Sequence, residues 1–490
     1  MASSEQVATL HYAVRWPVIT KRLGQLAVLL SVLTLAPLAV SFVFAEYRTV
    51  FRYLIVVTVL TAAGLRLSRR DAPTSIQANE ALVITALAFI LGPLIMTFPV
   101  MSGGLGFGDA LFECISGVTT TGLSTLSAVE SRAPSFLFAR VWMQWYGGLG
   151  IVVLSVALMF GYNVTARQLV EAPATTENLD TATRLHARRT LVTYSALTFL
   201  AVTVLWMMGL PPLTAVTHAM AAVSTGGFSS FDASLAALPG WSLRFAVMAF
   251  AFLGAVALPL YYRVYRQGWR SIMGDEELRA LVLASLIVSM LLVLFMHRPG
   301  GESRVAFVGH AVLMGVSAQT TTGFSSVPVA SLDNASKLIL IASMAVGGSV
   351  GSTAGGIKLL RLLLLLRMLQ LVIRRAAMPR HAVVELRFGG RTVESAELVR
   401  TLLPVILFVV ATLVSWLPFL ALGYDPLNAL FEVVSAIGTV GLSTGITSPE
   451  LPALLKGVLC ADMLLGRLEF VALLILLYPA TWIGKRSGSS

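Results

Sequence analysis

The chain has 490 residues, 57% hydrophobic and 12% charged, with a formal net charge of +11 and a mean hydropathy of +0.83. That is too little polar surface to keep a globule of this size in water, and a nucleic-acid reading would need a soluble basic face, which is absent. Cys114 and Cys460 are the only cysteines, which excludes a disulfide framework and a cysteine-rich metal site and leaves no redox role.

A hydrocarbon core of about 30 Å needs roughly 20 apolar helical residues. In chain order, the apolar stretches near 24–45, 50–67, 79–100, 137–160, 190–210, 241–263, 278–297, 338–373, 399–422 and 455–483 predict about ten spans. The first follows Arg15, Lys21 and Arg22, exceeds the apolar core of a secretory signal and lacks a convincing cleavage site, so it is read as a retained helix. With a cytoplasmic N-terminus, the inner segments (the tail, 66–71, 161–190, 263–279, 358–400 and the C-terminus) hold about 25 Lys and Arg and the outer segments about 9. The positive charge then follows from topology.

Four segments share a Thr-x-Gly-(Leu/Phe)-Ser pattern: Thr120-Thr121-Gly122, Thr225-Gly226-Gly227, Thr321-Thr322-Gly323 and Thr439-Val440-Gly441, each followed by Leu or Phe and Ser. The likeness extends upstream. Twelve residues before the glycine stand Ala110, Ala215, Ala311 and Ala429; six before, Ser116, Ala221, Ser317 and Ser435; five before, Gly117, Ala222, Ala318 and Ala436. Copies lie roughly 100 residues apart, which suits two membrane helices and a re-entrant hairpin rather than a soluble solenoid. Small, oxygen-rich loops repeated fourfold at membrane depth are how a protein builds a ring of carbonyls around a dehydrated cation.

The predicted fold is therefore an all-α polytopic membrane protein, with four pseudo-repeated helix–pore loop–helix units around one pore and an N-terminal helix pair. The divisions are 1–70 for the pair, then pore repeats over 71–165, 166–270, 271–380 and 381–490. The short segments near 109–118, 214–223, 310–319 and 428–437 are too short to span and suit half-helices whose carbonyl ends favour a cation at the bilayer centre. Asp109, Glu113, Asp425 and Glu432 lie at or near the outer mouth, where they either concentrate cations or cap and pair within the short helices.

On these residues the chain resembles the TrkH/KtrB superfamily of bacterial potassium-uptake proteins over almost its whole length. Further marks are Trp145-Tyr146-Gly147-Gly148-Leu149-Gly150-Ile151 and Gly466-Arg467-Leu468-Glu469, and the two extra leading spans favour the TrkH branch. The resemblance implies potassium as transported ion, since Na⁺-carrying relatives can have serine in the first copy whereas Gly122, Gly227, Gly323 and Gly441 are all glycine here. It also implies no cofactor, a bacterial inner-membrane location, a homodimer with one pore per subunit, and a cytoplasmic nucleotide-binding regulatory subunit of the TrkA type. The inner residues Arg184, Arg188, Arg189, Arg374, Arg375, Arg380 and Arg387 either dock such a subunit or simply follow the positive-inside rule.

Residues 347–356 include Gly347, Gly348, Gly351, Gly355 and Gly356, and glycines at roughly 1 kcal/mol each relative to alanine remove the helical preference. The helix should break there, in a segment buried in protein or lining water; the resemblance makes it a gating loop. Arg467 lies within the last span, where an arginine costs at least about 2.5–3.5 kcal/mol. No carboxylate stands three or four residues away on its helix, those positions being Met463, Leu464, Phe470 and Val471. Its partner comes from another helix, or it faces an aqueous cavity as a barrier, as the resemblance implies.

Rival readings draw on some of the same residues. Gly347-Gly348-Ser349-Val350-Gly351 and Gly441-Leu442-Ser443-Thr444-Gly445 match G-x-S-x-G, but an intramembrane serine protease needs a histidine opposite the serine. The six histidines offer little: His11, His186 and His381 fall in inner segments, His297 at an outer helix end, His218 and His310 in or beside the pore segments. Gly351 to Lys358 resembles a phosphate loop but lacks Gly-Lys-Ser/Thr. A coupled K⁺/H⁺ or K⁺/Na⁺ symporter using the same filter stays open, while voltage gating lacks a regular arginine series.

Overall fold

The computed structural model describes residues 13–73, 76–162, 178–298, 303–377, 387–388, 391–392 and 395–483. His11, Arg380 and His381 lie outside these residues, as do the side chains of Arg184, His186 and Arg387 and the expected divisions at 165/166 and 380/381. Regular structure among the described residues is helical, apart from a minimal ladder pairing Arg387 with Thr392 and Phe388 with Arg391.

The chain opens with an antiparallel helix pair, Trp16–Val43 and Tyr47–Ser68. Small residues let the two backbones approach: a methyl group at Gly24 would lie 2.6 Å from Leu67 Cβ, and one at Gly64 2.8 Å from Val28 Cγ2. Because lipid tails are as apolar as side chains, close packing of this kind is what holds membrane helices together.

One arrangement then recurs four times: a long helix, a short helix, an irregular loop and a second helix. The first set is Ala78–Val100, Phe107–Val118 and Pro134–Tyr162. The next is Asn178–Met207, Pro212–Val223 and Trp241–Ala255, followed by Glu276–Phe295, Arg304–Gln319 and Asn334–Val346. The last is Ser395–Ala421, Pro426–Ile437 and Ala453–Arg467. The short helices form the centre, and Ala110, Ala215, Ala311 and Ala429 at matched positions are all 0% exposed. In three sets the second helix meets the last carbonyl of its short helix through a glycine: a methyl at Gly147, Gly254 or Gly466 would lie 2.0, 2.4 or 1.8 Å from the carbonyl oxygen of Val118, Val223 or Ile437.

Six helices among the described residues are uninterrupted, long and apolar enough to cross a bilayer, or seven if one bent pair counts as a span. Three of the ten expected stretches are interrupted in their second helices, the one over 347–356 as its glycines predict. The stretch 241–263 bends by 85° between Trp241–Ala255 and Leu258–Gln267, because backbone groups at the break bond elsewhere: Leu258 N donates to Gly351 O (3.0 Å) and Thr353 N to Gly254 O (3.3 Å). The stretch 338–373 is interrupted between Val346 and Leu359, over the expected glycines. The stretch 455–483 divides into Ala453–Arg467, Val471–Leu477 and Pro479–Trp482, with Glu469 and Phe470 at φ 51° and 64°.

Candidate functional site

Each short helix ends in the same backbone motif. In the first copy Thr120 N donates to Gly117 O (2.9 Å) and Thr121 N to Ser116 O (2.9 Å). Thr225 and Gly226 bond Ala222 and Ala221, Thr321 and Thr322 bond Ala318 and Ser317, and Thr439 and Val440 bond Ala436 and Ser435 in the same way. These paired bonds are a Schellman cap, which places one residue in the left-handed region. That residue is threonine every time, with φ of 54°, 49°, 52° and 50° at Thr120, Thr225, Thr321 and Thr439. Four β-branched residues so strained mark a site rather than an accident. The small residues at matched offsets are thus the cap acceptors, and Ser116 and Ser435 also accept from Gly122 N and Gly441 N through Oγ, at 3.0 and 3.1 Å.

Beyond the caps the four loops meet in a closed ring. A methyl at Gly122 would lie 2.3 Å from Gly226 O, at Gly227 1.9 Å from Thr322 O, at Gly323 1.9 Å from Val440 O, and at Gly441 2.2 Å from Thr121 O. Each glycine touches the carbonyl preceding the next copy's glycine, and the fourth returns to the first. All four have positive φ, between 72° and 96°, so any side chain would meet both a backbone penalty and a neighbouring carbonyl. The buried hydroxyl oxygens of Thr120 and Thr439 have no hydrogen-bond partner among the described residues.

Two unequal spaces flank the ring. A cavity of about 380 Å³ touches all four glycines on one side and includes Ser124, Ser229, Ser325 and Ser443, each two residues beyond its glycine. Toward the threonine side, a space of about 10 Å³ bounded by Ser352, Gly355, Lys358, Arg467 and Glu469 has room for one water at most.

The expected outer carboxylates do different work. Glu113 and Glu432 are wholly buried. Glu113 Oε1 accepts from Ser124 Oγ (2.6 Å) and Thr125 N (3.1 Å), and Oε2 from Arg140 Nε (2.8 Å). Glu432 accepts from Ser443 Oγ (2.7 Å), Thr444 N (2.7 Å) and Oγ1 (2.9 Å), and Thr447 Oγ1 (2.6 Å). His218 holds the matching position in the second copy, with Nδ1 donating to Thr214 O (2.9 Å) and Nε2 3.3 Å from Ser229 Oγ. These side chains clamp loop to short helix. Asp109 pairs with Lys456 Nζ at 2.6 Å, and Asp425 caps its own helix by accepting from Asn428 N at 2.9 Å. The acid that does line the large cavity is the exposed Asp232. No signal in the repeat pointed to it, since the matching residues are Ser127, Pro328 and Ile446.

Residues 347–356 press against the threonine side of the ring. Gly355 N donates to Thr321 Oγ1 (2.6 Å) and Gly356 N to Gly438 O (3.0 Å). Thr353 Oγ1 lies 3.1 Å from Val223 O and 3.0 Å from Gly254 O, and accepts from Thr225 Oγ1 at 3.2 Å. Gly347, Gly351 and Gly356 take φ of 72°, 75° and 75°, while Gly348 does not. The buried Arg467 donates through Nη1 to Thr353 O (2.8 Å) and through Nη2 to Gly147 O (3.5 Å). Its partners are backbone carbonyls of the loop and of the helix Pro134–Tyr162, so a partner does come from another helix, as a carbonyl rather than a carboxylate. Single-helix spacing could not reveal its loop partner, or that Lys358 Nζ donates to Ala354 O and Glu277 Oε2 accepts from Val350 N (2.8 Å).

The rival motifs dissolve at this level. Ser443 is bound to Glu432, Ser349 Oγ has no partner among the described residues, and the histidines in short helices face Ser229 and Ser326. Gly351 to Lys358 is occupied with protein contacts on its own and neighbouring helices.

A family model described as TrkH, a cation transport protein, matches residues 47–481. The chain belongs to the TrkH family. The family consists of transporters, not enzymes. The Trk system potassium uptake protein TrkH of Salmonella typhimurium is 29% identical over 482 residues, covering 95% of this chain and 99% of the relative. A cation transporter of Methanocaldococcus jannaschii is 27% identical over 463 residues, covering 93% and 94%. The crystal structure of the potassium transporter TrkH from Vibrio parahaemolyticus superposes with a TM-score of 0.83 at 26% identity, covering 96% of this TrkH-family chain and all of the other.

Proposed function

We propose that this chain takes up potassium across the bacterial inner membrane through a selectivity filter formed by Thr120–Gly122, Thr225–Gly227, Thr321–Gly323 and Thr439–Gly441. The closed ring of glycine–carbonyl contacts carries the reading. Backbone oxygens held at fixed spacing replace a hydration shell, and the four short helices contribute the negative ends of their dipoles. The partnerless hydroxyls of Thr120 and Thr439 suit a cation, because buried acceptors are otherwise satisfied. Conduction is channel-like, from the large cavity inward, and the loop 347–356 with Arg467 is the gate, closed in the arrangement described. The N-terminus is cytoplasmic, the protein is a homodimer, and a TrkA-type subunit controls the gate from the cytoplasm.

Reconstitution into liposomes with K⁺, Rb⁺, Na⁺ and H⁺ gradients tests this directly. Flux of K⁺ and Rb⁺ well above Na⁺ is expected; equal permeation of Na⁺ removes the filter assignment.

Coupled K⁺/H⁺ transport is a second reading, favoured by Asp462. This residue is 0% exposed, its Oδ1 accepts from Ser415 Oγ at 2.6 Å, and its Oδ2 has no partner among the described residues. An acid so placed inside a membrane protein is a proton-site candidate by default. If K⁺ flux carries protons, Asp462→Asn abolishes the K⁺-dependent H⁺ flux while K⁺ still moves; an unchanged H⁺ flux excludes Asp462 as the carrier.

A further inference from the structure

The segment following Trp241–Ala255 is anchored to the loop 347–356 at its first residues, and the chemistry beyond that anchor is distinctive. Leu258–Gln267 turns 85° from Trp241–Ala255, so it lies close to the membrane plane when the preceding helix runs along the normal. Its first residues are buried and anchored: Leu258 N donates to Gly351 O (3.0 Å) and Tyr261 Oη to Leu253 O (2.7 Å). Beyond that anchor the chain projects outward through Arg270–Met273, with Tyr265 84%, Trp269 78% and Met273 76% exposed.

The cations around these rings divide into two kinds. Arg263 is paired with Asp275 at 2.8 Å, and Arg189 stacks over the Tyr262 ring at 4.0 Å. Arg266 and Arg270 are exposed with no ion pair or hydrogen bond among the described residues, and Arg188 on the neighbouring helix is exposed as well. Free guanidinium groups beside exposed Trp, Tyr and Met, at the end of an in-plane helix, match the boundary where headgroups meet acyl chains. A protein partner would also accept arginines. The lipid surface is favoured because a large rigid aromatic area is exposed beside the charge, in an element already turned to lie along the bilayer, on the side that the positive-inside rule places in the anionic cytoplasmic leaflet.

We propose that Arg266, Trp269 and Arg270 form a binding site for the phosphate headgroup of an anionic phospholipid, with Tyr265 and Met273 resting against its acyl chains. Guanidinium binds phosphate through paired N–H donors, and each arginine near an anionic surface favours binding by about fivefold.

The test uses the full chain in vesicles of phosphatidylcholine and phosphatidylglycerol, with one lipid or the other brominated to quench nearby tryptophans. Subtracting the signal of Trp269→Phe from that of the parent isolates Trp269 among the 8 tryptophans. Brominated phosphatidylglycerol should quench this component several-fold more effectively than brominated phosphatidylcholine at equal mole fraction. Arg266→Gln/Arg270→Gln should remove the difference while the protein keeps its elution volume and helical content. Equal quenching by the two lipids in the parent overturns the site. Absence of quenching by either, with Trp269 shielded only after a soluble protein is added, assigns the surface to a protein partner and overturns it as well. None of these readouts requires ion transport, so the result stands apart from that of the flux experiment.

Discussion

A threonine held at φ near +50° costs about 1–3 kcal/mol, and the chain accepts that cost at Thr120, Thr225, Thr321 and Thr439. Glycine would cap each helix without it, so the position keeps something glycine lacks, which is the hydroxyl. Thr225 and Thr321 spend theirs on the loop 347–356; Thr120 and Thr439 do not. Thr439→Gly should therefore leave stability unchanged or raise it by up to about 2 kcal/mol, the relieved strain outweighing the 0.5–1 kcal/mol that glycine loses in chain entropy. It should also raise the K⁺ concentration giving half-maximal flux several-fold. Thermal unfolding and flux titration on one preparation check both, and unchanged K⁺ dependence removes the hydroxyl from ion binding. Gly122→Ser goes the other way. Its Cβ has Gly226 O only 2.3 Å distant and φ at 90°, so the first and second loops must move apart. A fall in the K⁺/Na⁺ permeability ratio of about tenfold or more is expected under bi-ionic conditions, and an unchanged ratio in folded protein takes Gly122 out of the filter.

At the scale of elements, the loop 347–356 is held between the ring and Arg467, with Thr353 touching both. Shortening the loop removes the obstruction; Arg467→Ala removes the donor that fixes Thr353 O and a positive charge beside the narrow space. Each should raise flux in the absence of any regulator. Combining them should add less than the sum, because the two groups share one hydrogen bond. Basal K⁺ flux from liposomes is the measurement, and stable variants that conduct no better than the parent make both features structural. Much of this element was legible in the chain: five glycines in ten residues forecast the break, and matched small residues forecast the short helices. The break at Ala255–Leu258 was not legible, because its cause is a backbone bond to Gly351 nearly a hundred residues later. Nor was the burial of Glu113 and Glu432, since an acid two turns before a loop reads alike whether it faces water or clamps Ser124 and Ser443. Repetition is visible in sequence; which partner satisfies a buried charge is settled only by packing.

At the scale of the molecule, the two sides of the ring differ in what can reach them. The large cavity stays accessible beside Asp232, whereas the opposite side is closed by the loop and a cluster of Lys358, Arg361, Arg467 and Glu469, with Arg361 Nη2 2.5 Å from Glu469 Oε2. Opening must disturb that cluster, and the helix Leu359–Ala376 that follows the loop leads outward from it to Arg374 and Arg375 in its last turn. A regulatory subunit bound at Arg374 and Arg375 would therefore pull on the loop through one continuous helix. By linkage, a nucleotide shifts the gate only if the complex binds it with different affinity in the open and closed states, and opening must change nucleotide affinity by the same factor. A fivefold to 150-fold change in affinity, the usual range for coupling of about 1–3 kcal/mol, is the expected size. Single-channel recording of the co-purified complex with and without nucleotide gives one side of this reciprocity. Nucleotide titration of the complex carrying the shortened loop gives the other. Arg374→Glu/Arg375→Glu should abolish the nucleotide response while basal flux in the absence of the subunit is unchanged, and nucleotide-responsive transport in cells lacking every soluble partner would remove the subunit from the mechanism.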